Sequence, residues 1–157
     1  MIFVTVGTNE ARFDRLLHAV AALELDEDIV VQHGHSSSIG PAGASLVDFL
    51  PFEGIVAMVR RSRVVVTHAG VGSVMVSLAN GKRPIVVPRL KAFAEAVDDH
   101  QLELGRRFAS AGLVTFVESP EGIAENVLGD QVAASVVPRT SPLALDLRGF
   151  LEEIVAA

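Results

Sequence analysis

A chain of 157 residues is long enough for one domain with a real hydrophobic core. Its net charge of −6 argues against non-specific nucleic-acid binding, and the absence of cysteine rules out a disulfide framework, a zinc–thiolate site and a thiol nucleophile. Half of the residues are hydrophobic and mean hydropathy is +0.43, which points to a sheet buried on both faces or to an apolar surface meant for a partner.

Ile2–Val6 is an apolar run that reads as a strand. The start, MIFVTVGTNEARF, lacks the basic region and long apolar stretch of a signal peptide, and no apolar run reaches the roughly 18 residues needed to span a bilayer. A cytoplasmic protein is therefore expected. The pattern then predicts a helix from Glu10 to Leu23, a strand at Ile29–Gln32 and an exposed, mobile loop over 33–45, HGHSSSIGPAGAS. A third strand is expected at Leu46–Leu50, a helix at Phe52–Arg61 and a fourth strand at Arg63–Thr67. The next helix runs from Ser73 to Asn80 and stops at Gly81. Ile85–Val87 is a fifth strand ended by Pro88, and 89–98 is a loop.

A helix over Asp99–Ser110 follows, with Gly112 just past its end, and Leu113–Val117 is a sixth strand. Ser119 is placed to cap a helix over Pro120–Leu128, with Pro at its first position and Glu121 in its first turn. Strands alternating with helices imply βαβ units, hence a single Rossmann-like α/β domain over 1–128. Its sheet is mainly parallel, with about six strands and helices on both faces. The remaining segment, 129–157, carries a helix at Leu143–Val155 with Leu147, Phe150, Leu151 and Ile154 on one face. That face packs either on its own domain or on a partner.

Two glycine turns follow strands and precede helices: Gly7-Thr8-Asn9 and HAGVGS at 68–73. Such turns aim backbone N–H groups and the positive end of a helix dipole at an anion, most often a phosphate. In an open parallel sheet both would face one cleft at the carboxyl ends of the strands. The Thr8 and Ser73 hydroxyls can donate to the same ligand; the structural alternative is a pair of tight turns. The dinucleotide fingerprint is not met, since Met75 holds its third glycine position, and no Walker A or GxSxG sequence occurs. Asp99 reads as an N-cap. His100 and Gln101 follow it in the first turn, where the Gln101 amide can both donate to and accept from a sugar hydroxyl. The five histidines lack metal-ligand spacing, so no metal site is expected. No catalytic residue stands out. His68 and His100 are the only candidates, because imidazole titrates near neutral pH.

Four pieces in order, IFVTVGTNEARFDRLL at 2–17, VVTHAGVGS at 65–73, GKRPIVVP at 81–88 and DDHQLELGRRF at 98–108, resemble the C-terminal domain of family 28 glycosyltransferases, the MurG-like GT-B enzymes. The likeness is strongest to short bacterial exopolysaccharide subunits of the PssE/EpsF type. It extends to the donor-binding subunit of the eukaryotic two-subunit N-acetylglucosaminyltransferase of dolichol-linked oligosaccharide synthesis. The resemblance implies the C-terminal half of a GT-B fold and a UDP-sugar half-site over 1–128, with inversion at the anomeric centre and no essential metal or other cofactor.

By position, Gly7, Thr8 and Asn9 would lie near the diphosphate. Phe49 and Leu50 would flank the uracil, and His68, Ala69, Gly70, Gly72 and Ser73 would hold the phosphates and ribose. Asp99, His100 and Gln101 would face the transferred sugar. The chain departs from the family pattern at Val76, where many relatives carry an acid for the ribose hydroxyls, and at Asn9, where exopolysaccharide relatives often carry His. The implied function is the catalytic, donor-binding subunit of a two-component hexosyltransferase in polysaccharide biosynthesis. A membrane-associated acceptor subunit would recruit it to the inner face of the membrane and present a lipid-linked saccharide. The alternatives are a nucleotide-binding or regulatory half-domain without transfer activity, and a sugar-nucleotide epimerase fragment.

Overall fold

The computed structural model describes residues 1–129; the helix expected at Leu143–Val155 lies outside them. Six strands, β1 (Ile2–Thr5), β2 (Ile29–Gln32), β3 (Ser45–Val47), β4 (Val64–His68), β5 (Ile85–Val87) and β6 (Thr115–Phe116), form one sheet in the order β3-β2-β1-β4-β5-β6. Every pairing is parallel, and β1 lies at the centre with Thr5 in register with both Gln32 and Thr67. Five helices complete the domain: α1 (Asp14–Ala21), α2 (Phe52–Arg61), α3 (Val71–Ala79), α4 (His100–Ser110) and α5 (Ile123–Leu128).

Strand alternation sorts the core into two layers. Ile2, Val4, Val64 and Val66 join Leu16, Leu17 and Val20 of α1 and Ile123 and Val127 of α5 on one face. Phe3 and Val65 meet Val59 of α2 on the other, with Val76 of α3 against them, while Val86 packs with Val74, Leu104 and Phe108 of α3 and α4. Among the described residues no helix is long and apolar enough to cross a membrane.

Several expected bounds move, each for a local reason. The first helix begins at Asp14, not Glu10, because the backbone before it is committed elsewhere. The Ala11 N–H donates to Asn9 Oδ1 (2.8 Å), the Ala11 carbonyl accepts from Arg89 (2.7 Å), and the Phe13 N–H donates to Ser36 Oγ (2.8 Å). The loop over 33–45 is correspondingly not free. Ser37 donates its N–H to Asp14 Oδ1 (2.7 Å), and the His33 and Gly34 N–H groups extend the pairing to Val47 and Asp48. The third strand runs over Ser45–Val47 only, and the segment paired with it leaves extended geometry at Gly34, which takes φ +54°.

β4 runs on through His68, and α3 starts at Val71, two residues before Ser73. The sixth strand shrinks to two residues. Ser119 does not cap a helix backbone: its hydroxyl donates to the Glu121 carboxylate, and a tight 3-10 turn at Pro120–Gly122 precedes α5. Asp99 holds the N-cap position of α4, but its carboxylate accepts the Lys91 N–H (2.9 Å), and Asp98 accepts the His100 N–H (3.0 Å).

Gly105 of α4 is packed flush against β6: a Cβ there would lie 2.1 Å from the Phe116 ring. Gly105→Ala is therefore expected to cost about 1–3 kcal/mol in urea unfolding, although alanine is the better helix former by about 1 kcal/mol. Adding Phe116→Val should restore most of the loss. A stabilised single variant would contradict this packing.

Candidate functional site

β1 is followed by α1 on one face of the sheet and β4 by α3 on the other, so the chain diverges above the ends of these two central strands. A cleft of about 480 Å³ opens there. Its lining comes from the end of β1 and the first turn (Thr5, Gly7, Thr8, Asn9), from β2 (Gln32), from the start of α2 (Leu50, Phe52, Ile55) and from β4 and α3 (His68, Gly72, Ser73, Val76).

The floor is polar and buried. Thr5 Oγ accepts the Gly7 N–H (3.2 Å) and donates to Gln32 Oε1 (2.7 Å). Gln32 lines the cleft although it is only 2% exposed, and with its oxygen engaged its amide keeps N–H donors to offer. One wall is the first turn of α3, which has neither a side-chain cap nor an acidic residue. Its leading N–H groups and the helix dipole are thus available to an anion. At Gly72 a Cβ would meet nothing within 4 Å. No packing demand explains a glycine in this helical position, and its absent side chain keeps the cleft open beside the amides.

Gly7 and Gly70 have a different reason to be glycine. A Cβ at Gly7 would lie 2.5 Å from His68 Cε1, and one at Gly70 would lie 2.1 Å from His68 Nε2. The imidazole is clamped between the two turns, and Gly7 also takes φ +76°. Burial, and then the charge of Arg89, push the His68 pKa from its ordinary 6.5 down to about 3. This corrects the expectation that His68 titrates near neutral pH. It is a neutral ring there, suited to hydrogen bonding and poorly suited to taking up a proton.

Of the residues singled out in the sequence, Gly7, Thr8, Asn9, Leu50, His68, Gly72 and Ser73 come together on this cleft. Gly70 stands behind the ring as the N-cap of α3, and Ala69 is fully buried in the core. Phe49 is drawn off to stack edge-on against His35, 5.1 Å between centroids; Phe52, 66% exposed, is the aromatic ring that lines the cleft. Asp99, His100 and Gln101 lie outside the lining. The His100 ring pairs with Asp98 (2.6 Å), whose carboxyl is held low first by the His100 backbone N–H and then by that ring, and Gln101 Oε1 accepts the Arg89 N–H (3.1 Å). Among the described residues no group of three or more His, Asp or Glu is placed to hold a metal ion.

Sequence reasoning missed Thr5, Gln32, Phe52 and Arg89. The first two read as ordinary strand ends, and their exact register was the only available signal. Arg89 follows a strand-ending Pro88 and reads as a loop cation, yet it is fully buried.

Residues 1–135 match the family model described as the glycosyltransferase family 28 C-terminal domain. Among solved structures, the chain is similar to the glycosyltransferase SnogD from Streptomyces nogalater (19% identity, TM-score 0.56, covering 81% of this chain and 34% of that one). It is also similar to CalG4, the calicheamicin glycosyltransferase (19% identity, TM-score 0.55, 80% and 32% covered), and to the glycotransferase of kitacinnamycin (19% identity, TM-score 0.57, 81% and 33% covered). At that identity the likeness is one of fold, and the chain spans about a third of the length of these structures. No curated protein matches it.

The two helix-start glycines should behave oppositely. Gly70→Ala is expected to destabilise by about 1–3 kcal/mol by driving into the His68 ring. Gly72→Ala should leave thermal stability unchanged or raise it by up to about 1 kcal/mol. His68 also carries a pH signature. Between about 3 and 6.5 the unfolded chain binds a proton at this ring and the folded chain does not, so stability rises with pH through that window and falls on acidification. Urea unfolding at about pH 7 and about pH 4 should show a smaller acid loss in His68→Asn than in the parent.

Proposed function

Because the chain belongs to the glycosyltransferase family 28 C-terminal domain family, we propose that its cleft binds the nucleotide-sugar donor of a glycosyl transfer, with a UDP-sugar as the donor. The observation that carries this reading is the uncapped start of α3 beside the side-chain-free Gly72, at the point where strand order reverses. A diphosphate seated there would accept hydrogen bonds from the backbone amides of the first turn, from the Ser73 hydroxyl and from the Gln32 amide. Phe52 and Leu50 offer an apolar wall for the base.

In an inverting transfer the acceptor hydroxyl attacks the anomeric carbon and the bond to the β-phosphate oxygen breaks. The diphosphate leaves with the electron pair. Charge grows on the phosphate oxygens as the bond breaks, so amides already pointing at them stabilise the transition state more than the ground state. The proton of the acceptor passes to a base on the acceptor side. His68, with its pKa lowered by burial and by Arg89, is poorly suited to that role. A membrane-associated partner subunit supplies the acceptor half of the cleft and presents a lipid-linked saccharide. The donor domain then acts at the cytoplasmic face of the membrane.

Val76 favours a second reading. It lines the cleft on the α3 side with an apolar side chain and offers the ribose hydroxyls no hydrogen bond. A half-domain that binds nucleotide without transferring sugar would tolerate that.

Calorimetric titration with UDP, UDP-glucose, UDP-N-acetylglucosamine and UDP-glucuronate separates these readings. The parent chain should bind UDP. Gly72→Leu should weaken binding by about tenfold or more with no loss of thermal stability. A parent chain that binds no UDP ligand overturns the donor-site reading. Transfer to a lipid-linked acceptor should be slight for the chain alone and should appear when the partner subunit is added. Full turnover alone overturns the two-component reading, and binding without transfer in the presence of the partner selects the half-domain.

A further inference from the structure

Arg89 is the largest fully buried side chain of the described residues, and its charge acts on His68, which lines the cleft. It follows β5, and its guanidinium reaches the segment that follows β1. There Nη2 donates to the Val6 carbonyl (2.8 Å) and Nη1 to the Ala11 carbonyl (2.7 Å). Those two carbonyls bracket the first turn, whose Gly7, Thr8 and Asn9 line the cleft. A single side chain therefore ties both ends of the turn to β5. The ring of Phe13 lies 4.8 Å beneath the guanidinium carbon and holds it in plane.

The charge of Arg89 has no carboxylate of its own. Glu95, the nearby buried acid, is taken by Arg15, which donates Nε to Oε1 (3.0 Å) and Nη2 to Oε2 (2.8 Å). The same carboxylate accepts the Leu90 N–H (3.0 Å), and Glu95 hydrogen-bonds Arg89 only through its backbone carbonyl (3.3 Å), its carboxylate acting on the guanidinium through space. Arg89 Nε has no hydrogen-bond partner at all. Two arginines against one glutamate leave one positive charge in a region of low dielectric, where a fixed charge acts over a longer range than in water. The cleft groups that answer to that charge are the neutral His68 ring, whose pKa it helps to lower, and the turn whose flanking carbonyls it holds.

We propose that Arg89 is a positioning residue: it staples the turn over 6–11 into the shape that lines the cleft and sets a buried positive charge behind it, so that the cleft selects ligands by phosphate charge. This deepens the donor-site reading and rests on it for the identity of the ligand. The fork geometry and the charge make separable demands. Lysine supplies the charge without the two-carbonyl staple, and glutamine supplies neither the charge nor the reach.

The test compares the parent, Arg89→Lys and Arg89→Gln by calorimetry with uridine, UMP and UDP, and follows the His68 imidazole by NMR titration without ligand. The preference for UDP over uridine should drop by about tenfold or more in Arg89→Gln and stay within a few-fold of the parent in Arg89→Lys. Both nucleotides should bind Arg89→Lys somewhat more weakly as the turn loosens. In the parent His68 should titrate well below 6.5, and in Arg89→Gln it should move up. Equal losses for uridine and UDP, or an unchanged preference in Arg89→Gln, would reduce Arg89 to a packing residue and overturn the proposal. If Arg89→Gln does not fold, a parent His68 titrating at its ordinary value would overturn it independently. A parent chain that binds none of the three ligands removes the donor-site reading, while the His68 titrations still decide whether the buried charge reaches the cleft.

Discussion

Everything in this structure that bears on function follows from the reversal of strand order at the centre of the sheet. β1 passes to β2 on one side, and β4, which the chain reaches from the far edge, closes on the other. The helices that follow these two strands pack on opposite faces, so their first turns separate and cannot cover the strand ends between them. A gap is obligatory at that point. The parallel register fixes what lies at its bottom, the Thr5–Gln32 pair, and the right-handed crossover into α3 fixes which helix start looks into it.

The second constraint is the clamp on His68. The imidazole fills the space between the two glycine turns, and both glycines are shaped to it. Near enough to depress its pKa further is the guanidinium of Arg89, a charge that burial makes costly and that backbone carbonyls and the Phe13 face offset. Burying an ion carries a penalty of several kcal/mol even after relaxation. Its retention beside the first turn, with Glu95 bonded to Arg15, would give the site a positive interior without a cation in the cleft lining. The neutral His68 belongs to the same arrangement, since a second positive charge there would face the first.

Much of this was legible in the sequence, and the misses share a cause. Short apolar runs separated by helical spacing gave away a six-stranded parallel α/β sheet, because strands buried on both faces leave no alternation to misread. The glycine turns marked the cleft, since little else follows a strand with two glycines and opens a helix. Side-chain bonds from distant residues were invisible. Ser36 and Asn9 delay α1, Asp98 takes the capping bond expected of Asp99, and His35 draws Phe49 away from the cleft, leaving Phe52 on it. Gly7 and Gly70 read as room for phosphate, yet the contact that forbids a side chain at each is the His68 ring. Gly72, which no contact constrains, is the one whose emptiness favours a ligand. Arg89 was passed over because a cation after a strand-ending proline is normally solvated, and only the packed structure shows the carbonyls it serves.

On the proposed function, the uncapped first turn of α3 and the first βα turn hold a diphosphate between them. Amide chemical shifts during titration with UDP and, separately, with uridine test it most directly. The largest UDP-induced changes are expected at the backbone N–H groups of Val71, Gly72 and Ser73 and of Gly7, Thr8 and Asn9, with uridine leaving those of α3 nearly unmoved. UDP-induced changes centred elsewhere, with the α3 amides silent, would contradict it.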